Sequence, residues 1–99
     1  MLIIAVAAAH ADAAGVLRNF VGYTVLASMT ITGWQDAKGK RGDSFEGCDY
    51  DRVIVFDDSK VLTCTGYSYS YSYRPDAVIL VKGSSFKMIV GSEVYDMRR

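Results

Sequence analysis

The sequence predicts an all-β domain, and three observations carry the prediction. Tyrosine and serine alternate strictly over one run, several short stretches are rich in β-branched residues, and glycine- and aspartate-rich turns separate them too often for a helical period to develop. The alternating run is the clearest: Gly66-Tyr67-Ser68-Tyr69-Ser70-Tyr71-Ser72-Tyr73-Arg74-Pro75. Successive side chains on a strand point to opposite faces, so Tyr67, Tyr69, Tyr71 and Tyr73 share one face at intervals of roughly 6 to 7 Å. The serines share the other.

Taken in order, the first segment is Met1-Leu2-Ile3-Ile4-Ala5-Val6-Ala7-Ala8-Ala9-His10-Ala11-Asp12-Ala13, apolar and ending in small residues at alternate positions. It reads as a secretory signal over residues 1–13, cleaved after Ala11 or Ala13, which leaves a single β domain over residues 14–99. No Lys or Arg precedes the apolar run, and it is shorter than the usual ~15 to 30 residues. The alternative is an Ala-rich buried helix. A membrane span needs about 20 apolar residues, and Asp12 interrupts well before that.

Residues 21–32 alternate apolar with small polar residues and form the first expected strand. Residues 33–44, rich in glycine and charge, read as a long surface loop. Arg52-Val53-Ile54-Val55-Phe56 runs into the turn tetrad Asp57-Asp58-Ser59-Lys60, and Lys60-Val61-Leu62-Thr63-Cys64-Thr65 returns to make a hairpin. A two-residue reversal there places Val53 opposite Cys64 and Val55 opposite Leu62. Gly66 bends the chain, the Tyr/Ser limb follows, and Pro75 ends it, because proline lacks a ladder donor. Residues 77–81 and 86–90 are two further strands around Lys82-Gly83-Ser84-Ser85, and Gly91-Ser92 suits a type II′ reversal into 93–97. Five or six short antiparallel strands must close on themselves to bury one face, which predicts a small barrel of the Src-homology type; a two-layer β-sandwich is the alternative.

A domain of this size buries only about 60% of the surface its unfolded chain exposes, so a covalent staple matters. Cys48 and Cys64 are the only cysteines, in no Cys-x-x-Cys arrangement, and a disulfide in an oxidising compartment is the economical reading. The sole histidine, His10, falls within the expected signal. A zinc site or a histidine-activated nucleophile is therefore not expected, and neither is any other metal, cofactor or catalytic residue. Lysine plus arginine equal aspartate plus glutamate, 11 against 11, and the charges are scattered. That argues against nucleic acid, which needs a basic stripe. Asp43, Glu46, Asp49 and Asp51 concentrate acid groups near Cys48, and a hydrolase using Asp49 and Asp51 is a remote alternative; a solvated loop explains them better. Arg41-Gly42-Asp43 spells an adhesion tripeptide, but turn composition accounts for it.

Trp34 and the tyrosine row remain as candidate ligand-binding residues: Trp34, Tyr67, Tyr69, Tyr71 and Tyr73. Planar rings along a strand can stack on sugars or grip an extended peptide. The competing reading is that the tyrosines wall the core, since four phenylalanines and one tryptophan supply little bulk. A third is self-association, because an uncharged Tyr/Ser strand has little to prevent edge pairing.

The stretch Phe45-Glu46-Gly47-Cys48-Asp49-Tyr50-Asp51, with Cys64, the Tyr/Ser run into Tyr73-Arg74-Pro75, and Glu93-Val94-Tyr95-Asp96, resembles a group of small exported bacterial proteins of uncharacterised function. The resemblance covers residues 45–96. It implies a periplasmic or secreted, non-catalytic β protein and carries over no active-site residue. The expected function is thus a non-enzymatic binding or interaction module for a peptide, a glycan or an envelope protein, with a self-associating structural protein of the envelope as the alternative.

Overall fold

The computed structural model describes residues 18–99, so the expected signal over residues 1–13 and the first residues of the expected domain lie outside it. After a 3-10 turn at Arg18–Phe20 come seven strands: β1 (Thr24–Gln35), β2 (Arg41–Gly42), β3 (Val53–Phe56), β4 (Val61–Cys64), β5 (Asp76–Lys82), β6 (Ser85–Val90) and β7 (Glu93–Arg98). Six of them form an antiparallel ring in the order β1-β3-β4-β7-β6-β5, closed by pairing of β5 with β1. The fold is a closed barrel, as expected, and β2 is an extra strand outside the ring.

Closure depends on β1 serving two neighbours. Its Thr24–Thr30 half lies along β5 and its Ile31–Gln35 half along β3, with register shifts between Val25 and Ala27 and between Ile31 and Gly33. Each shift adds a residue on one side of the ladder and bends the strand around the barrel. The ring is completed at Thr63 and Cys64, which pair with Arg98 and Met97.

Period-two alternation fills the interior. Ile54 and Phe56 point inward from β3, Leu62 and Cys64 from β4, Phe86, Met88 and Val90 from β6, and Tyr95 and Met97 from β7. Ile31 from β1 and Ile79 from β5 complete the centre. Each fully buried apolar side chain of this kind contributes about 1.5 to 3 kcal/mol against the entropy of ordering it.

Three local features differ from the sequence-based expectation or sharpen it. Residues 33–44 are not a loop: β1 continues through Trp34 and Gln35, and the chain turns at Asp36. The Asp36 carboxylate accepts from the Lys38 and Lys40 N–H groups at 2.9 and 2.8 Å, and β2 returns with Trp34 opposite Gly42. Two of the three glycines that suggested a loop, Gly33 and Gly42, are contact points. A Cβ on Gly33 would lie 2.5 Å from the Gly42 carbonyl oxygen, and one on Gly42 would lie 2.2 Å from Trp34 Nε1.

The β3–β4 register is one residue away from the expected one, with Val53 opposite Thr63, Ile54 opposite Leu62 and Val55 opposite Val61. The turn has three residues, not two: Phe56 N–H donates to Lys60 O, Ser59 N–H donates to Phe56 O, and Ser59 takes φ 69°. A one-residue change moves every side chain to the other face, which is why Ile54 and Phe56 are inside and Val53 and Val55 are not. At the other end of the sequence, Val90 pairs with Glu93 around Gly91 at φ 61°, as a type II′ turn requires.

Candidate functional site

The Tyr/Ser run crosses one end of the barrel as an extended strap, and its construction begins at the disulfide. Cys48 and Cys64 are bonded, with Cα atoms 5.6 Å apart. Because Cys64 ends β4, the bond ties residues 45–48 to the root of the strap. From there the two segments run antiparallel. Cys48 and Ser68 exchange both backbone hydrogen bonds at 2.8 and 2.9 Å, and Phe45 and Ser72 do the same at 3.0 and 2.9 Å. Two intervening residues, Glu46 and Gly47, face three, Tyr69 to Tyr71, so the strap bulges between its two bridges and is not a continuous regular strand.

Two further contacts hold its Ser72–Arg74 end. The Ser44 hydroxyl donates to the Ser72 carbonyl at 2.9 Å, and Arg74 Nε donates to the Asp43 carbonyl at 3.0 Å. Gly47 lies beneath the middle of the strap. Phe45 is fully buried and meets the Tyr95 ring edge to face at 5.4 Å, so the segment carrying the strap is itself anchored in the core.

Alternation then decides the surface. Ser68, Ser70 and Ser72 are half-buried, while Tyr67, Tyr69, Tyr71 and Tyr73 are 64%, 65%, 59% and 69% exposed. The reading of the tyrosines as a core wall is therefore overturned. The missing bulk comes from residues that local pattern did not mark: Phe45, Trp34 and Tyr95 are all buried. At the end of the row the Arg74 guanidinium stands 5.6 Å from the Tyr73 ring.

Trp34 does not join this surface. It is 5% exposed, its Nε1–H donates to Glu46 Oε2 at 3.1 Å, and Arg52 covers its ring at 4.1 Å. Arg52 Nη1 also donates to the carbonyls of Glu46 and Gly47 at 3.3 and 3.4 Å. Trp34 thus fixes the turn on which the strap rests, and the expectation that its ring faces a ligand is corrected by that burial. Asp49 and Asp51 are also committed locally. Asp49 accepts from the Tyr50 N–H at 2.8 Å, and Asp51 pairs with Arg98 at 3.1 Å.

Among the described residues, two recesses bear on the search for a site. One of about 150 Å³ sits between the strap and β7, bounded by Gly66, Tyr67, Val94, Tyr95 and Asp96. Burial pushes the Tyr95 phenol up from its ordinary 10.0, with Ser70 partly opposing this and Glu93 adding to it. Among the described residues its hydroxyl nevertheless has no hydrogen-bond partner. The other recess, about 740 Å³, lies between β1 and the β3–β4 turn, with Phe56, Ile79 and Phe86 at its floor and Lys60 and Arg99 at its margin. It contains none of the site residues expected from sequence. The only sequence signal for it is a pair of apolar residues left outside, Leu26 and Val61, and a single apolar surface residue is too common to mark a site.

Among the described residues no cluster of His, Cys, Asp or Glu is arranged to hold a metal ion, and no helix is long and apolar enough to cross a membrane. No family model, curated protein or solved structure matches the chain.

Proposed function

We propose that the protein is an exported, non-enzymatic binding module whose recognition surface is the outward row Tyr67, Tyr69, Tyr71 and Tyr73, engaging an extended peptide or glycan across the ring faces. The carrying observation is that all four rings are more than half exposed while the strap beneath them is fastened at Phe45, Cys48 and Ser44. Exposed aromatic surface on a small domain is unfavourable unless something covers it, and contiguous patches of this kind mark interaction sites. Tyrosine suits the task, since it brings a large flat contact with few rotatable bonds and a polar tip. Rigidity supports the same reading, because a row held by a disulfide and four backbone hydrogen bonds loses little further freedom on binding.

Export accords with the Cys48–Cys64 bond, which persists in an oxidising compartment. The non-enzymatic part of the reading is supported by the local commitments of Asp49 and Asp51. The test is a screen of the oxidised protein against peptide and glycan arrays, repeated with Tyr69→Ser/Tyr71→Ser. Expected is a hit that the double variant loses while keeping its unfolding midpoint. Binding that survives the double variant, or no hit on either array, overturns the reading.

A further inference from the structure

The strap has a free edge as well as a free face. Ser68 and Ser72 turn their backbone N–H and C=O groups toward Cys48 and Phe45. In an antiparallel strand the intervening residues turn theirs the other way, and among the described residues the backbone groups of Tyr67, Tyr69, Tyr71 and Tyr73 have no backbone partner. Natural edges are guarded by charge, proline or brevity. Here no charged residue and no proline occurs from Gly66 to Tyr73.

The seven residues Tyr67 to Tyr73 read identically in both directions about Ser70. That symmetry is what a two-fold contact demands, since residue i must meet residue j while j meets i. Antiparallel pairing centred on Ser70 sets Tyr67 opposite Tyr73 of a second copy and Tyr69 opposite Tyr71, with all the rings on one side. The pairing ends there, because Arg74 takes φ 42° and leaves the extended backbone near Gly66 of the second copy. Among the described residues no atom stands within 4 Å of a Cβ built on Gly66, which leaves room at that corner.

We propose that the protein pairs with a second copy of itself through the edge of residues 67–73, centred on Ser70, to form one continuous face of eight tyrosines. The pairing uses the edge and leaves the rings outward; what the joined face does rests on the binding reading above. Two seven-residue edges bury less than the ~1,200 Å² of a standard stable interface, so the dimer is weak and reversible.

The experiment is sedimentation of the oxidised full chain over roughly 10 μM to 1 mM, the range in which a weak contact populates. The mass is expected to climb from monomer toward dimer and stop there. Tyr69→Lys/Tyr71→Lys sets like charges opposite each other and loses the dimer, as does Tyr69→Glu/Tyr71→Glu; mixing the two variants restores it. A monomer throughout the range, a Lys variant that still dimerises, or growth without limit overturns the proposal. Register is checked without these variants: oxidation of mixed Tyr69→Cys and Tyr71→Cys chains yields the mixed disulfide in preference to either homodimer, and a random distribution overturns it. A monomeric protein that still binds a peptide or glycan through its tyrosines removes the dimer alone, and a dimer without any ligand removes only the binding reading.

Discussion

Gly47 and Ser68 approach so closely that the strap rests directly on its neighbour's backbone. A Cβ on Gly47 would lie 2.1 Å from the Ser68 carbonyl oxygen and 2.6 Å from Ser70 N, and Gly47 takes φ 79°. Both the clash and the left-handed backbone penalise any side chain. Gly47→Ala is expected to cost about 2 kcal/mol or more, combining roughly 1 to 2 kcal/mol for the backbone with the displacement of the strap. Urea unfolding with limited proteolysis at the strap tyrosines checks it; an unchanged midpoint would mean that the strap lifts away freely.

The disulfide joins residues 16 apart in sequence and anchors Cys48 at the point where it bridges Ser68. Closing a loop of that size stabilises by about 3 kcal/mol in the chain-entropy account. Replacing both cysteines with alanine is expected to lower the urea stability by about that amount. Hydrogen exchange at Ser68 and Ser72 is expected to accelerate more than exchange in β5 and β6, which the bond does not touch. Uniform acceleration would deny the strap its special dependence on the bond.

Much of this architecture is legible in the sequence because it is local. The strands around Gly83 and Gly91, the bend after Cys64 and the stop at Pro75 follow from turn chemistry and alternation within a few residues. Alternation also shows that the four tyrosines share a face. It does not show which face is wet, because that depends on residues 44–48 lying alongside the strap and on Phe45 and Trp34 filling the core in place of the tyrosines. Trp34 is misread for a related reason: Gly33 and Gly42 look like loop composition until β2 is laid against β1. Contacts between distant segments decide such positions, and one-dimensional pattern does not carry them.

Alkaline pH is expected to weaken the fold through two groups. Burial raises the Tyr95 pKa from 10.0, and the hydrogen bond with Asp96 raises that of Lys87 from 10.5. A group whose pKa is higher in the folded state adds stability that is complete below its unfolded pKa and is lost as pH rises through the folded one. The decline therefore begins near pH 10. Tyr95→Phe removes the phenol and the buried hydroxyl that lacks a partner, so it is expected to leave neutral-pH stability unchanged or raise it by about 1 kcal/mol and to make the alkaline decline shallower. Urea midpoints at neutral and alkaline pH check both; a loss of about 1 kcal/mol at neutral pH would show that the hydroxyl is hydrogen-bonded, with Ser70 the nearest candidate.

Ser59 controls which side chains of the β3–β4 hairpin face inward. Its φ of 69° makes the three-residue turn possible, and that turn sets Ile54 opposite Leu62 and brings Cys64 inside, where it reaches Cys48. A left-handed conformation costs an L-residue about 1 to 2 kcal/mol, and glycine's extra freedom when unfolded returns roughly 0.5 to 1 of it. Ser59→Gly is therefore expected to stabilise by about 0.5 kcal/mol. Ser59→Val, β-branched at the same φ, is expected to destabilise by more than that, because its side chain tolerates this region poorly. The two shifts in urea midpoint should have opposite signs. If both variants destabilise equally, the turn is not limited by backbone strain, and the register must be held by the inward packing of Ile54, Phe56 and Leu62 alone.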